Sequence, residues 1–234
     1  MPSYVNQNLY PGEFLLHKKY ATSDMLLELI WTHSNIVMEI ALAILDRNTF
    51  DKTELRRELV MQAALLHDIG VYHCGGFEWI PHQPPQTRPY IQHEILGAWI
   101  LHQEGYAAPI IQTAFSHTGV GLTGEDIRHN GLDLPERDYV PQTTFQKFMT
   151  YASKFHSKTP TFRTSDQIKE ELYPQGQEKV DLFTELENTF GRPVITDIQE
   201  KYQSWEKNFS LRVAELTKTQ SPLNLNASGI AKAA

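Results

Sequence analysis

The sequence predicts an all-α fold, a helical bundle with additional helices toward its C-terminal end. Three observations point there. Apolar residues recur every three or four positions along most of the chain, capping residues stand ahead of those stripes, and glycine or proline follows them. Thr22-Ser23-Asp24 marks a helix start, and Leu26, Ile30, His33, Val37, Ile40 and Ile44 form the buried stripe of a first long helix. Asp51 and Glu54 have the spacing of a capping box and are expected to open a second helix. Its stripe of Leu55, Leu59, Ala63 and Leu66 carries His67 on or near the inward face, with Gly70 expected as a left-handed cap at its end.

Residues 71–90 hold Gly75-Gly76, Pro81, Pro84-Pro85 and Pro89 and read as a loop. It is longer than most connections in compact domains, which makes it a candidate lid. Helices are expected over 91–104, carrying His93 and stopping at Gly105, and over 108–117, ending at His117. The turn Thr118-Gly119-Val120-Gly121 precedes a short helix capped by Thr123 and Asp126. After a loop at 131–142 come helices over 143–157, 165–190 and 193–218, with Pro193 in the first turn of the last.

At 234 residues the chain makes one domain, or one domain with an appendage, and can bury a core without staples. A net charge of −7 argues against a nucleic-acid groove, so no nucleic-acid partner is expected. It leaves room for a nucleotide or a small phosphorylated metabolite, because a bound metal supplies local positive charge. The single cysteine, Cys74, excludes an intramolecular disulfide. Met1 to Tyr10 lack the basic and apolar regions of a signal peptide, and no apolar run is expected to reach the length of a membrane span. A cytoplasmic location with no membrane partner is therefore expected. The oligomeric state has no signature in the sequence.

The chemistry concentrates on Ala63-Ala64-Leu65-Leu66-His67-Asp68-Ile69-Gly70, flanked by His33, His93 and His117 on separate expected helices. Imidazole and carboxylate together suit iron, manganese, nickel, cobalt or zinc. Asp68 has two oxygens, so it can bridge two ions, His33 and His67 holding one, His93 and His117 the other. Such ions acidify a shared water and clamp a phosphoryl oxygen. Each histidine also has a bland reading, as a hydrogen-bonded core residue, and His67-Asp68 as charges at a helix terminus. The ordered set is much harder to reach by chance than any member. His17, His73, His82, His102, His129 and His156 read mostly as surface residues.

The order His33, His67-Asp68, His93, His117 resembles the HD-domain superfamily of metal-dependent phosphohydrolases, and the segment around His67 resembles its HDIG-type members. His93-Glu94-Ile95-Leu96-Gly97-Ala98 is similar to the family's second histidine helix. Ser116 to Thr123 and Leu134 to Pro141 are similar to a subgroup of small, uncharacterised HD hydrolases. The likeness covers about residues 25–157 and implies one or two divalent transition metal ions, with Asp68 as the catalytic carboxylate. The domain expectation is then an HD domain over 1–160, a helical appendage over 161–220 packed on it, and a flexible tail over 221–234.

One departure stands out. The family normally supplies a last aspartate from a helix reading Ala-Asp-Lys or Ala-Asp-Asn, and here Tyr151-Ala152-Ser153-Lys154-Phe155-His156 places serine there. The ion of His33 and His67 is expected to bind more weakly for it, with His156, one turn on, as a substitute ligand against the odds. Lys154 and Arg137 are candidate phosphate contacts. Each has an alternative, a solvated lysine for Lys154 and pairing with Asp138 or Glu136 for Arg137. Cys74 lacks a histidine partner and reads as a passive loop residue. Phe77, Trp79 and Tyr90 either roof the pocket or pack the loop onto the body. The resemblance implies hydrolysis of a small phosphoester or nucleotide through a metal-bound hydroxide. The rivals are a degenerate, non-catalytic HD ligand-binding module, raised by Ser153, and an iron-dependent HD-type oxygenase.

Overall fold

Proline in the first turn opens α1 (Pro11–Tyr20), which lies against the helix that organises the molecule. That helix, α2 (Asp24–Arg47), starts where Ser23 accepts a hydrogen bond from the Leu26 N–H through its hydroxyl, at 3.1 Å. The expected stripe is there, but Leu26 to Ala41 is buried almost all round, the mark of a central helix rather than a surface one. Among the described residues α2 alone is long and apolar enough, by length and composition, to cross a membrane. The sequence reading did not anticipate this. Here α2 runs through the protein core, packed against α3 (Arg57–Leu66). The computed structural model describes residues 4–47 and 49–220, and the tail expected at 221–234 lies outside them.

The second helix begins later than its capping spacing suggests. Asp51 accepts the Thr53 N–H at 2.9 Å and so caps a turn, leaving α3 to start at Arg57. Gly70 is not a left-handed cap either. It sits inside a 3₁₀ turn (Ile69–His73), where a Cβ would lie 2.1 Å from the His93 carbonyl oxygen and 2.4 Å from the Gly97 nitrogen. Glycine is required there so that two backbones can touch, the turn after α3 and the helix α4 (His93–Gln103).

Next in order are α5 (Ala108–Phe115), two residues shorter than expected so that His117 falls just beyond it, and α6 (Gly124–Asn130) with the expected Thr123–Asp126 capping box. A further capping box, Thr143 with Gln146, opens α7 (Thr144–Ala152). The helix expected to reach 157 stops there. A 3₁₀ turn (Ser153–Phe155) follows, then β1 (His156–Ser157) pairs antiparallel with β2 (Thr161–Phe162). The expected helix over 165–190 is two, α8 (Ser165–Leu172) and α9 (Gln177–Phe190), broken at Pro174 and by Gly176 at φ +119°. Pro193 precedes the last helix, α10 (Thr196–Gln220), instead of starting it. The fold is all-α apart from this hairpin of two two-residue strands. α10 reaches back to α2: Lys201 and Tyr202 bond Glu39, and Trp205 and Arg212 bond Glu28.

Candidate metal centre

Four histidines arrive from four places. His33 lies midway along α2, His67 just past α3, His93 at the first position of α4, and His117 after α5. All are buried, as is Asp68 between them. The Nε2 atoms of His33 and His67 each lie 3.1 Å from Asp68 Oδ2, and those of His117 and His93 lie 3.2 Å and 3.6 Å from Oδ1. One carboxylate oxygen thus serves each pair. His33, His67 and Asp68 form one ligand-like group, and Asp68, His93 and His117 another. This is the partition expected from the sequence.

The outward nitrogens decide which tautomers are present. A carbonyl oxygen only accepts, so an imidazole nitrogen bonded to one carries the proton. His67 Nδ1 lies 2.7 Å from the Ala64 carbonyl, His93 Nδ1 2.7 Å from that of Tyr90, and His117 Nδ1 3.1 Å from that of Ala114. Those three Nε2 atoms are therefore bare lone pairs. Yet His93 Nε2 and His117 Nε2 face each other at 3.2 Å, and three of the Nε2 atoms lie within 3.2 Å of carboxylate oxygen. Among the described residues, His33 Nε2 and His67 Nε2 are buried without a hydrogen-bond partner. Lone pairs turned on lone pairs in a buried pocket offer a place for a cation. The donor set fits the divalent ions expected of it.

Burial pushes the His33 and His93 imidazoles well below their ordinary range, and His117 down to about 4, so these ligands are neutral at neutral pH. Burial acts against ionising Asp68, but the His67 imidazole, the Lys158 ammonium and the imidazoles of His117 and His33 outweigh it and hold the carboxyl well below the usual range.

His33 is oriented differently. Its Nδ1 meets His156 Nδ1 at 2.8 Å, and His156 Nε2 faces Glu206 Oε1 of α10 at 3.5 Å. With the His156 proton on the carboxylate side, His33 Nδ1 donates and its Nε2 is bare like the others. His156 is thus neither a surface residue nor a substitute ligand. It stands behind His33, because the chain leaves α7 before reaching it. His17, also expected at the surface, is buried against the Tyr72 hydroxyl and the Leu65 carbonyl.

Ser153 lines the cavity over the centre, with its hydroxyl given to the Thr150 carbonyl at 2.9 Å. Lys154 also lines it, but its Nζ donates to the His117 carbonyl at 2.7 Å. Burial, then Arg163 and Lys158, lower it to about 7. It is buried rather than solvated, and it braces the segment that carries His117. Arg137 is elsewhere. Its guanidinium lies over the rings of Phe115 and Tyr139, at 4.8 Å and 5.2 Å, and is not among the residues lining the cavity. The acidic partners foreseen for it are taken, Asp138 by the Gly124 N–H and Glu136 by Arg128. Cys74 is buried, its thiol pushed up to about 12 by that burial, in keeping with a passive role.

Three functional residues escaped the sequence reading. Lys158, at the tip of the hairpin, places Nζ 2.7 Å from Asp68 Oδ2. Glu94 is buried beside His93 and accepts the Thr118 N–H at 2.7 Å; burial raises it to about 7. Glu206 comes from a helix expected to be mere appendage. Only Glu94 left a signal, a carboxylate between His93 and an apolar run. The cavity measures about 380 Å³, and Phe77, Trp79 and Tyr90 line it from the 71–90 loop, so that loop does cover the centre.

The family model of the HD domain matches residues 30–158, over half of the chain. An uncharacterised protein of Methanocaldococcus jannaschii is 30% identical over 151 residues, which are 64% of this chain and 78% of that one. Two proteins named tRNA (cytidine(56)-2'-O)-methyltransferase, from Picrophilus torridus and Thermoplasma volcanium, are each 32% identical over 130 and 134 residues. The match spans 32% of their length, about a third. Among solved structures, the HD domain of the L. monocytogenes phosphodiesterase PgpH aligns with a TM-score of 0.43 and 18% identity, over 75% of this chain and 94% of that one. Its complex with cyclic-di-AMP gives 0.42 and 19%, over 78% and 98%. The matched span opens three residues before His33 and closes on Lys158, taking in every side chain that converges on Asp68, and the chain belongs to the HD domain family.

Proposed function

We propose that this chain is a metal-dependent phosphohydrolase acting on a small phosphoester or nucleotide. The observation that carries the reading is the set of bare Nε2 atoms meeting both oxygens of Asp68 at the floor of a cavity. His33, His67, His93, His117 and Asp68 would hold the metal, which would supply the Lewis acidity to activate a water and offset phosphoryl charge. The protein's own contribution is orientation and charge. Three backbone carbonyls and His156 hold the four rings, and Glu94 and Lys154 pin the His117–Thr118 segment from either side. Lys158 and Arg163 add positive charge to the cavity wall, where a phosphate dianion would sit. The aromatic side chains of the 71–90 loop exclude water and offer a face to a base. The methyltransferase name belongs to proteins two-thirds of whose length has no counterpart in the match, and it carries no methyl transfer to this chain.

A panel of phosphomonoesters, phosphodiesters and nucleotides, assayed with protein reloaded with manganese, cobalt or nickel, tests this. Turnover is expected to fall at least about a thousandfold in Asp68→Asn. Turnover indifferent to that substitution would refute the assignment. A second reading, a non-catalytic HD module that binds the same ligands, is favoured by Ser153, whose hydroxyl is spent on a backbone carbonyl where the family has a carboxylate. Binding without turnover on every metal would select it.

A further inference from the structure

The half of the centre formed by His33, His67 and Asp68 Oδ2 already has a cation beside it. Lys158 Nζ lies 2.7 Å from Oδ2, and its ammonium is 5.5 Å from the centre of the Tyr90 ring. The lysine is delivered by a built element. β1 and β2 pair His156 with Phe162 and Ser157 with Thr161, and the Ser157 hydroxyl accepts the Thr159 N–H at 3.1 Å, which together close the tip on which Lys158 stands. Its side chain is 19% exposed, so the charge is directed inward.

Resting on the metal-centre reading above, we propose that Lys158 is a built-in cation that stands in for a second ion, so that the chain holds one resident divalent ion, on Asp68, His93 and His117. Two arguments carry it. An ion on Oδ2 would lie roughly 2.1 Å from that oxygen, and with Nζ at 2.7 Å the two cations would be under 5 Å apart however they were arranged. Among the described residues no second carboxylate stands between the two positions, because position 153 is serine and its hydroxyl is turned to Thr150. One divalent ion, one ammonium and one carboxylate give the centre a charge of about +2, matched to a phosphate dianion. Two ions beside the same ammonium would leave it near +4 with Asp68 as its one anion. The ammonium does not satisfy His33 Nε2 or His67 Nε2, which remain bare. Those nitrogens retain the capacity to bind an ion once the ammonium is withdrawn.

The experiment counts ions rather than turnover. Mn²⁺ is titrated by calorimetry into metal-free wild type, Lys158→Met and Lys158→Arg, and native mass spectrometry and the electron spin resonance of the bound ion report the stoichiometry independently. Wild type and Lys158→Arg are expected to bind one ion per chain, with the spectrum of an isolated Mn²⁺. Lys158→Met is expected to bind two ions per chain, with the spectrum of an exchange-coupled pair. Two coupled ions in wild type would overturn the inference and leave the metal-centre reading standing, as would a folded Lys158→Met that still holds one. If Lys158→Met does not fold, Lys158→Gln replaces it. Absence of bound Mn²⁺ from wild type and folded variants alike would overturn the metal-centre reading and the inference with it.

Discussion

Gly70→Ala is the sharpest perturbation the packing offers. The added Cβ would lie 2.1 Å from the His93 carbonyl oxygen, 2.4 Å from the Gly97 nitrogen and 2.9 Å from Gly97 Cα, all backbone. Ordinary contact starts at 3.4 Å, so the turn after Asp68 and the start of α4 must part by roughly 1.3 Å. Overpacking a core costs about 1–3 kcal/mol where side chains can yield, and here none stands in the way to yield, so a loss of about 3 kcal/mol or more is expected. The same separation moves His93 relative to Asp68, whereas ligand distances tolerate only about 0.2 Å. Urea unfolding of metal-free protein reads the first effect, and calorimetric Mn²⁺ titration the second, with affinity falling at least tenfold. Gly105→Ala is the control. At φ +76° with open space around it, it pays about 1–2 kcal/mol for its backbone and leaves metal binding untouched. A Gly70→Ala protein within about 0.5 kcal/mol of wild type, with unchanged Mn²⁺ affinity, would refute the close-approach argument.

Two further outcomes follow from buried groups. Glu94→Ala frees the Thr118 N–H and should loosen His117, weakening Mn²⁺ binding about 10–100-fold, while Glu94→Gln, which keeps an acceptor, should restore most of it; equal loss in both would assign the effect to charge instead. His17 is held at about 4 by burial against an ordinary value of 6.5, so between those values the unfolded chain binds the extra proton and stability falls with falling pH, by up to about 3 kcal/mol at the acid end. Urea midpoints at pH 7 and pH 5 should show a smaller pH-linked loss in His17→Gln than in wild type, and identical slopes would exclude His17 as the source.

The site was more legible than its supports. His33, His67, Asp68, His93 and His117 could be ordered from the sequence because ligands must be imidazole or carboxylate, and few such side chains sit on apolar stripes. What orients them is largely main-chain carbonyl, and a carbonyl has no residue type to read. Capping was legible where hydroxyl and acceptor stand three apart and face a helix, as at Thr123 and Asp126. It misled at Asp51, where the same side chain closes a turn with Thr53. Gly70 was noticed for the wrong reason, since a glycine needed for tight packing and one needed for a left-handed cap look alike in sequence. The C-terminal helices read as amphipathic and charged, which said nothing of Glu206 meeting His156 or of Glu28 and Glu39 on α2 being partners of α10.

The end of α7 shows how one local event rearranges a centre. Had the helix continued to 157 as its stripe suggested, His156 would lie one turn beyond Ser153 on a similar face, within reach of a ligand's position. Instead the helix stops at Ala152 and a 3₁₀ turn swings the chain into the hairpin. His156 then stacks on His33 with ring centroids 5.1 Å apart and bonds it from behind, between the ligand and Glu206. Lys158, two residues on and across the hairpin tip, comes to the front of the same histidine's partner carboxylate. The serine at 153, the histidine at 156 and the lysine at 158 are therefore a single adaptation in geometric terms. The anion removed at the first position lowers the site's capacity for positive charge, and the ammonium at the third takes up much of what remains. Restoring the carboxylate alone, by Ser153→Asp, should accordingly do less for a second ion than withdrawing the ammonium, because the new anion would pair with Lys158 before it could serve a metal.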